Sequence, residues 1–430
     1  MNDSTLRFHD RPVPVQLVQA HAPVDRWVLG LTLLAVTYNA LLAFINAHVF
    51  SVNFALVAVT EIMILSVCLV KLVKDGIKHD CANILWYCVA SLAIAMAISL
   101  MNGVLFVDAF RNALIITLFL CLGRNIQFAT LRKTFLVVSV LVLGVMLIEM
   151  TSLLTYAQIF KPAVYFLNTR GMPEFELDDT GIFRNALGFA GRFSFGIFAG
   201  PRTSSLFLEQ VSLANFAAVL CVFLLACWPR LSFRERVVHV ALAALIILSN
   251  NTRTTSILFV LSIVGYFVYP RLPRYLNVLV APLIIVAGVT IYNMYPHYIN
   301  DDFAGRVSHT GRIISNMGFP EYLGMQINQL ASLMDAGYPY VIYSSSFIGF
   351  ILFWLMVSFV IPQRTPAQMR CAYGLTIYIF VNLLIGGTAI FSIKVAALLW
   401  LLVGFISSPE RFAEEHSAVT QPQQPARSKA

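Results

Sequence analysis

The sequence predicts an all-α, polytopic integral membrane protein with about twelve transmembrane helices and two large loops on one face. Three observations carry that class. The 430 residues are 59% hydrophobic and only 12% charged, with a mean hydropathy of +0.78, whereas a soluble domain carries about 25% charged residues. Apolar runs of about 17–25 residues recur along the chain, the length that crosses a hydrocarbon layer as a helix. Period-two alternation is missing, so the closed barrel, the other structure that satisfies its backbone in lipid, is not expected.

Residues 1–26 are polar and punctuated by proline, and no small-residue cleavage site follows a short apolar core. They are read as a cytoplasmic segment and not as a signal peptide. Spans are expected near 27–48, 52–73, 83–102, 108–122, 135–154, 206–228, 236–249, 255–269, 276–293, 344–361, 371–386 and 389–406, so that 27–406 forms one transmembrane domain. No heptads or internal repeat break this pattern. The end of the chain, 407–430, closes on SAVTQPQQPARSKA and has the composition of a disordered cytoplasmic tail.

Lysine and arginine orient the spans. Alternate loops at 71–80, 123–133, 229–236, 270–274 and 362–370 hold 13 cationic residues, while the short loops on the other side hold only Arg253. Both termini are therefore expected in the cytoplasm, and the formal net charge of +8 reports membrane orientation. It gives no support to nucleic-acid binding. Two loops of about fifty residues, 155–205 and 294–343, then face outward and are long enough for short helices. The seven cysteines fall in spans or at cytoplasmic ends, so no disulfide framework is expected outside.

The informative residues are those that break the orientation rule. The first outer loop carries Lys161, Arg170, Arg184, Arg192 and Arg202, with four acids, Glu174, Glu176, Asp178 and Asp179, in its middle. Its last third, RNALGFAGRFSFGIFAGPR, has three arginines and no acid. Such cations at the bilayer face suit an anionic head group, and Arg192 is a candidate ligand for one. In GPRTSSLFLEQVSLANF (200–216), a helix starting near Pro201 puts Arg202, Ser205 and Glu209 on one face. Arg202 offers a planar fork for phosphate oxygens. Glu209 lies where an unpaired acid costs about 2.5–3.5 kcal/mol on insertion scales, so it needs a wet cavity or a cation. An ion pair between Arg202 and Glu209 is the plainer alternative.

Arg253, in LSNNTRTTSILF, reads as an interfacial anchor or as a second phosphate clamp oriented by Asn250, Asn251, Thr252, Thr254 and Thr255. In the second large loop, Arg306, His309 and Arg312 fall at i, i+3 and i+6, so one helical turn gathers them. Histidine is the usual general base near neutral pH, and flanking cations keep it unprotonated. An exposed loop histidine is the alternative. Arg312 joins the candidate anion ligands. Asp301 and Asp302 are too little to specify a metal site, and the chemistry requires neither metal nor cofactor. Asp108 and Arg111 form an i, i+3 pair, and Glu61, Glu149 and Lys394 are read as structural members of a core ion network.

PRTSSLFLEQVSLANF, LSNNTRTTSILFVLSIVGYF and the stretch from GRVSH through MGFPEYLG to SSSFIGFILF together resemble the O-antigen polymerase and ligase superfamily, the Wzy and WaaL types of membrane glycosyltransferase. The resemblance covers the span pattern of most of the chain. Arg170 and Gly181 also fit the R-x10-G spacing of Wzy outer loops. Gln210 stands where the family often has proline, and neither His297 nor His309 matches the ligase histidine motif, which favours polymerase over ligase. The resemblance implies a bacterial inner-membrane polymerase of exopolysaccharide, of the xanthan type, with periplasmic loops at 155–205 and 294–343. It implies that Arg202 and Arg253 bind the pyrophosphate of an undecaprenyl-linked oligosaccharide repeat unit. His309 or Arg306 would work at the acceptor, with Glu209 a second candidate base. A chain-length regulator or export complex is the implied protein partner. The reading from another class is a twelve-span transporter or flippase of lipid-linked oligosaccharide, against which the outward position of the long loops argues.

Overall fold

The computed structural model describes residues 23–171, 181–182, 194–198, 200–296, 302–333, 336–385 and 387–408. Among them the regular structure is helical and no strand is present. The helices are α1 (Arg26–His48), α2 (Phe54–Asp75), α3 (Ala82–Asn102), α4 (Val107–Asn125), α5 (Phe128–Thr151), α6 (Leu153–Phe160), α7 (Pro162–Arg170) and α8 (Gln210–Cys227). They continue as α9 (Phe233–Asn250), α10 (Arg253–Val268), α11 (Leu276–Met294), α12 (Phe303–Asn316), α13 (Phe319–Tyr322), α14 (Gly337–Phe359), α15 (Pro366–Ile385) and α16 (Ile393–Ser407). The tail from residue 409 and residues 1–22 lie outside the described residues.

Each apolar stretch expected to span coincides with a helix, and nine of the helices among the described residues are long and apolar enough to cross a membrane. The other three are α4, α9 and α16. The first two carry several charges, and α16 has only 15 residues, about 22 Å of helix. Every residue of α16 is buried, as is every residue of α8 except Val211. These two helices form the centre, with α15 beside them. In contrast, α2, α10 and α11 bury only a few side chains each and present apolar faces outward. That inside-out distribution of Leu, Val and Ile is what a lipid environment permits and water does not.

Small residues set the closest contact. A Cβ added to Gly404 of α16 would lie 2.1 Å from the Leu120 carbonyl oxygen, and one added to Gly123 of α4 would lie 2.2 Å from that of Leu401. The two backbones approach as glycine allows, which is how helices associate where the solvent is itself apolar.

Two starts differ most from expectation. α5 begins at Phe128, and Arg132 in its polar first turns pairs with Glu235 of α9 at 2.5 Å. α14 begins at Gly337 and is broken at Ser346 (φ 61°, ψ 170°), so the span expected from 344 is the second part of a kinked helix.

The bundle has two ends. At one, Asp25 meets Lys71 (3.0 Å), Arg124 Nε donates to Ser407 Oγ (3.0 Å), and Tyr373 donates to the Pro273 carbonyl (2.6 Å). This is the end of the lysine- and arginine-rich loops. The other end gathers both long connections: Asn168 donates to Asn46 (3.0 Å), and Asn102 donates to the Gly324 carbonyl (2.8 Å). Within those connections α6, α7, α12 and α13 are formed, and α12 lies against α11 and α15.

Candidate functional site

The stretch 201–209 does not continue α8 outward. Residues 201–204 are irregular, Ser205–Phe207 form a single 3-10 turn, and Ser205 (φ 50°) and Leu208 (φ 61°) are left-handed. The helix starts at Gln210, with Glu209 as its extended N-terminal cap residue. Arg202, Ser205 and Glu209 therefore do not share a helical face, which corrects the expectation from their spacing. The cause is Glu149 of α5. Its buried carboxylate accepts from the Ser204 and Ser205 backbone N–H groups (3.0 and 2.7 Å) and from Ser204 Oγ (2.8 Å). Tyr156 donates to the Ser205 carbonyl (2.8 Å), and Ser205 Oγ donates to that of Val142 (2.7 Å). A buried carboxylate needs several donors, and here the looped chain aims two successive N–H groups at one acid.

Glu209 closes the loop. Its carboxylate pairs with Lys394 of α16 at 2.7 Å and with Arg170 at the end of α7, and Ser212 donates to it at 2.8 Å. Lys394 is buried and also donates to the Phe207 carbonyl (3.3 Å). Arg170 lies over the Phe166 ring at 4.6 Å. Glu209 sits one residue ahead of the span that starts at Gln210. Burial opposes its charge, but the Lys394 ammonium and Arg170 guanidinium outweigh burial and hold the carboxyl well below the usual range. A carboxylate so stabilised is a weak proton acceptor. The pairing of Glu209 is thus with Lys394 and Arg170, two partners that reading the local sequence did not supply.

A second ionic group lies nearby in the chain order of α1, α2 and α4. Glu61 accepts from Tyr38 and faces Arg111 Nε at 3.4 Å, and Arg111 holds Asp108 at 3.1 Å. The expected Asp108–Arg111 pair is present. Tyr165 of α7 donates to Asn39 of α1 at 2.7 Å, which ties the Arg170 helix to the same wall.

Arg253 is the first residue of α10 and is half-buried. Several of the residues around it stitch its turn to the 201–215 stretch. Asn250 Nδ2 donates to the carbonyls of Thr203 (2.7 Å) and Gln210 (2.9 Å), Thr203 and Ser249 hydroxyls meet at 2.7 Å, and Thr255 donates to the Ala214 carbonyl (3.2 Å). Asn251, left-handed at φ 52°, accepts from the Phe195 N–H at 2.9 Å. Arg202 and Arg253 thus belong to two segments that are hydrogen-bonded to each other. Arg192 lies outside the described residues.

The third set sits on α12, whose start Asp302 caps by accepting from Gly305 N–H at 2.8 Å. Arg306, His309 and Arg312 are gathered on this one helix as their spacing requires. Arg306 donates to the Ile385 carbonyl (3.4 Å) and Thr310 to that of Leu384 (2.7 Å), so α12 rests on the last turn of α15. That same part of α15 holds α8: Tyr378 and Asn382 donate to Asn215 at 2.8 and 2.6 Å. Arg312 NH2 meets His309 Nδ1 at 3.2 Å. A guanidinium only donates, so Nδ1 is the acceptor and a neutral ring carries its proton on Nε2. The lone pair that a base would use is thus shared with Arg312.

No protein-family model, curated protein or solved structure matches the chain. Chemically, this end of the bundle joins three arginine-bearing segments, 201–209, 249–255 and α12, through α8 and α15. The carboxylates that face inward beside them, Glu61, Glu149 and Glu209, are held by tyrosine, backbone N–H, lysine and arginine partners. Sequence reading singled out the arginines but missed Glu149 as the organiser of the loop. The signal for it was its cost: an acid within an apolar, span-length run must have donors.

Proposed function

We propose that this chain is an inner-membrane polysaccharide polymerase. It transfers a growing glycan from polyprenyl pyrophosphate to the sugar end of the next lipid-linked repeat unit, as in exopolysaccharide synthesis. In this reading all twelve long helices span the bilayer, both termini are cytoplasmic, and the end that holds α7 and α12 faces the periplasm. The observation that carries it is the joining of the 201–209 loop, the Arg253 turn and α12, through α8 and α15, at the end opposite the arginine-rich loops. Departure of a pyrophosphate develops charge that preorganised guanidinium groups stabilise. Arg202 and Arg253 take the pyrophosphate, with Arg192 and Arg312 as further ligands and Arg306 near the acceptor. His309 is the base: when phosphate draws Arg312 away, Nδ1 regains its lone pair for the acceptor hydroxyl. Glu209 serves as the counter-ion that fixes Arg170 and Lys394, and not as a base.

Arg202→Ala and Arg253→Ala are each expected to abolish polymer while single lipid-linked repeats accumulate, read on gels of extracted glycan and lipid. Polymer of normal length from both variants, at wild-type protein levels, contradicts the assignment. A ligase differs in acceptor alone. The buried ionic groups at Glu61 and Glu209 favour one further reading, a carrier of lipid-linked oligosaccharide, since charges inside helical bundles also line transport paths.

A further inference from the structure

We propose that the arginine-rich end of the bundle binds an anionic phospholipid in a groove walled by α8, α9 and α10. The groove has a cavity volume of about 370 Å³, and apart from Ser262 its walls are apolar and aromatic, including Leu224, Val240, Phe259 and Ile263. Trp228 and Tyr266 close its mouth edge to face, with ring centroids 6.5 Å apart. A groove on an outward face of a membrane-crossing bundle is filled by an acyl chain, so what remains to be fixed is the head group. The rim fixes it. Arg236 lies over the Trp228 ring at 5.2 Å, and its Nε is shielded from solvent with no hydrogen-bond partner among the described residues. Arg370 lies over the Tyr266 ring at 3.7 Å and donates through Nε to the Tyr266 carbonyl at 2.9 Å.

Both guanidinium groups are thus stacked on the two aromatic rings that frame the groove. The three segments at this mouth, 228–236, 266–275 and 362–371, contain seven arginines and a single acid, Glu235. That acid is occupied: it pairs with Arg132 and caps Ser232. A zwitterionic lipid would bring a cationic choline or amine to a rim rich in cations whose aromatic faces already carry guanidinium groups, whereas a lipid with net negative charge meets two oriented forks. Trp and Tyr at the mouth are the residues that sit at head-group depth.

Native mass spectrometry of the wild-type protein, released from bilayers with equal parts phosphatidylglycerol and phosphatidylcholine, tests the head group without any variant. Retained phosphatidylglycerol is expected to predominate; equal retention of the two lipids overturns the proposal. The variants Arg236→Gln and Arg370→Gln test the location. Each is expected to lower the preference about fivefold, while the matched charge change Lys133→Gln leaves it intact. An unchanged preference in both arginine variants, or an equal loss in Lys133→Gln, also overturns it.

Discussion

Glu149 shows how one side chain decides a backbone. Its carboxylate takes the Ser204 and Ser205 N–H groups and the Ser204 hydroxyl, and the chain accepts a left-handed Ser205 to supply them. Glu149→Ala leaves those donors buried and unsatisfied and is expected to cost about 2–5 kcal/mol, read as a lower unfolding temperature in detergent. Glu149→Gln recovers only part, because its amide replaces one acceptor by a donor. Lys394 and Glu209 make the second residue-scale case. Lys394→Met strands part of a buried charge and is expected to cost about 3 kcal/mol. The double variant Lys394→Met, Glu209→Gln should lose clearly less than the sum of the two single changes in the same melts; strict additivity would mean that the pair is not coupled. Neither partnership was legible in the sequence. Glu149 and Ser204 lie 55 residues apart, and Glu209 and Lys394 lie 185 apart. Local spacing speaks only to neighbours within a turn or two, and so it favoured a helix from Pro201 and a partner such as Arg202.

At the scale of elements the sequence was far more readable. Apolar runs long enough to span coincide with helices because lipid leaves the backbone few other ways to satisfy itself. The start of α5 was missed because its first turns, with Arg132 paired to Glu235, read as loop by composition alone. The pairing of helices was not legible, and glycines are where it is decided. Gly404→Ala forces a Cβ against the Leu120 carbonyl, and backbone cannot yield as a flexible side chain does. The expected loss is about 1–3 kcal/mol, measured by thermal unfolding, against little change for Gly144→Ala, where no atom lies within 4 Å of the added Cβ.

The whole molecule sorts its charge between two ends. One holds the loops rich in lysine and arginine, stacked in part on aromatic rings; the other holds α7, α12 and the looped 201–209 stretch around paired acids. The arginines at this second end were visible in the sequence because each violates the rule that orients membrane helices. Their joining through α15 was not, because Leu384, Ile385 and Asn382 carry no signal of the contacts they make with α12 and α8. The central claim, polymerisation at that end, is tested most directly with purified protein and a polyprenyl-pyrophosphate-linked repeat in detergent, where no compartment exists for transport. A ladder of glycans longer than one repeat is expected, lost in Arg202→Ala. Recovery of the substrate unchanged, from protein that is folded and monodisperse, would contradict it.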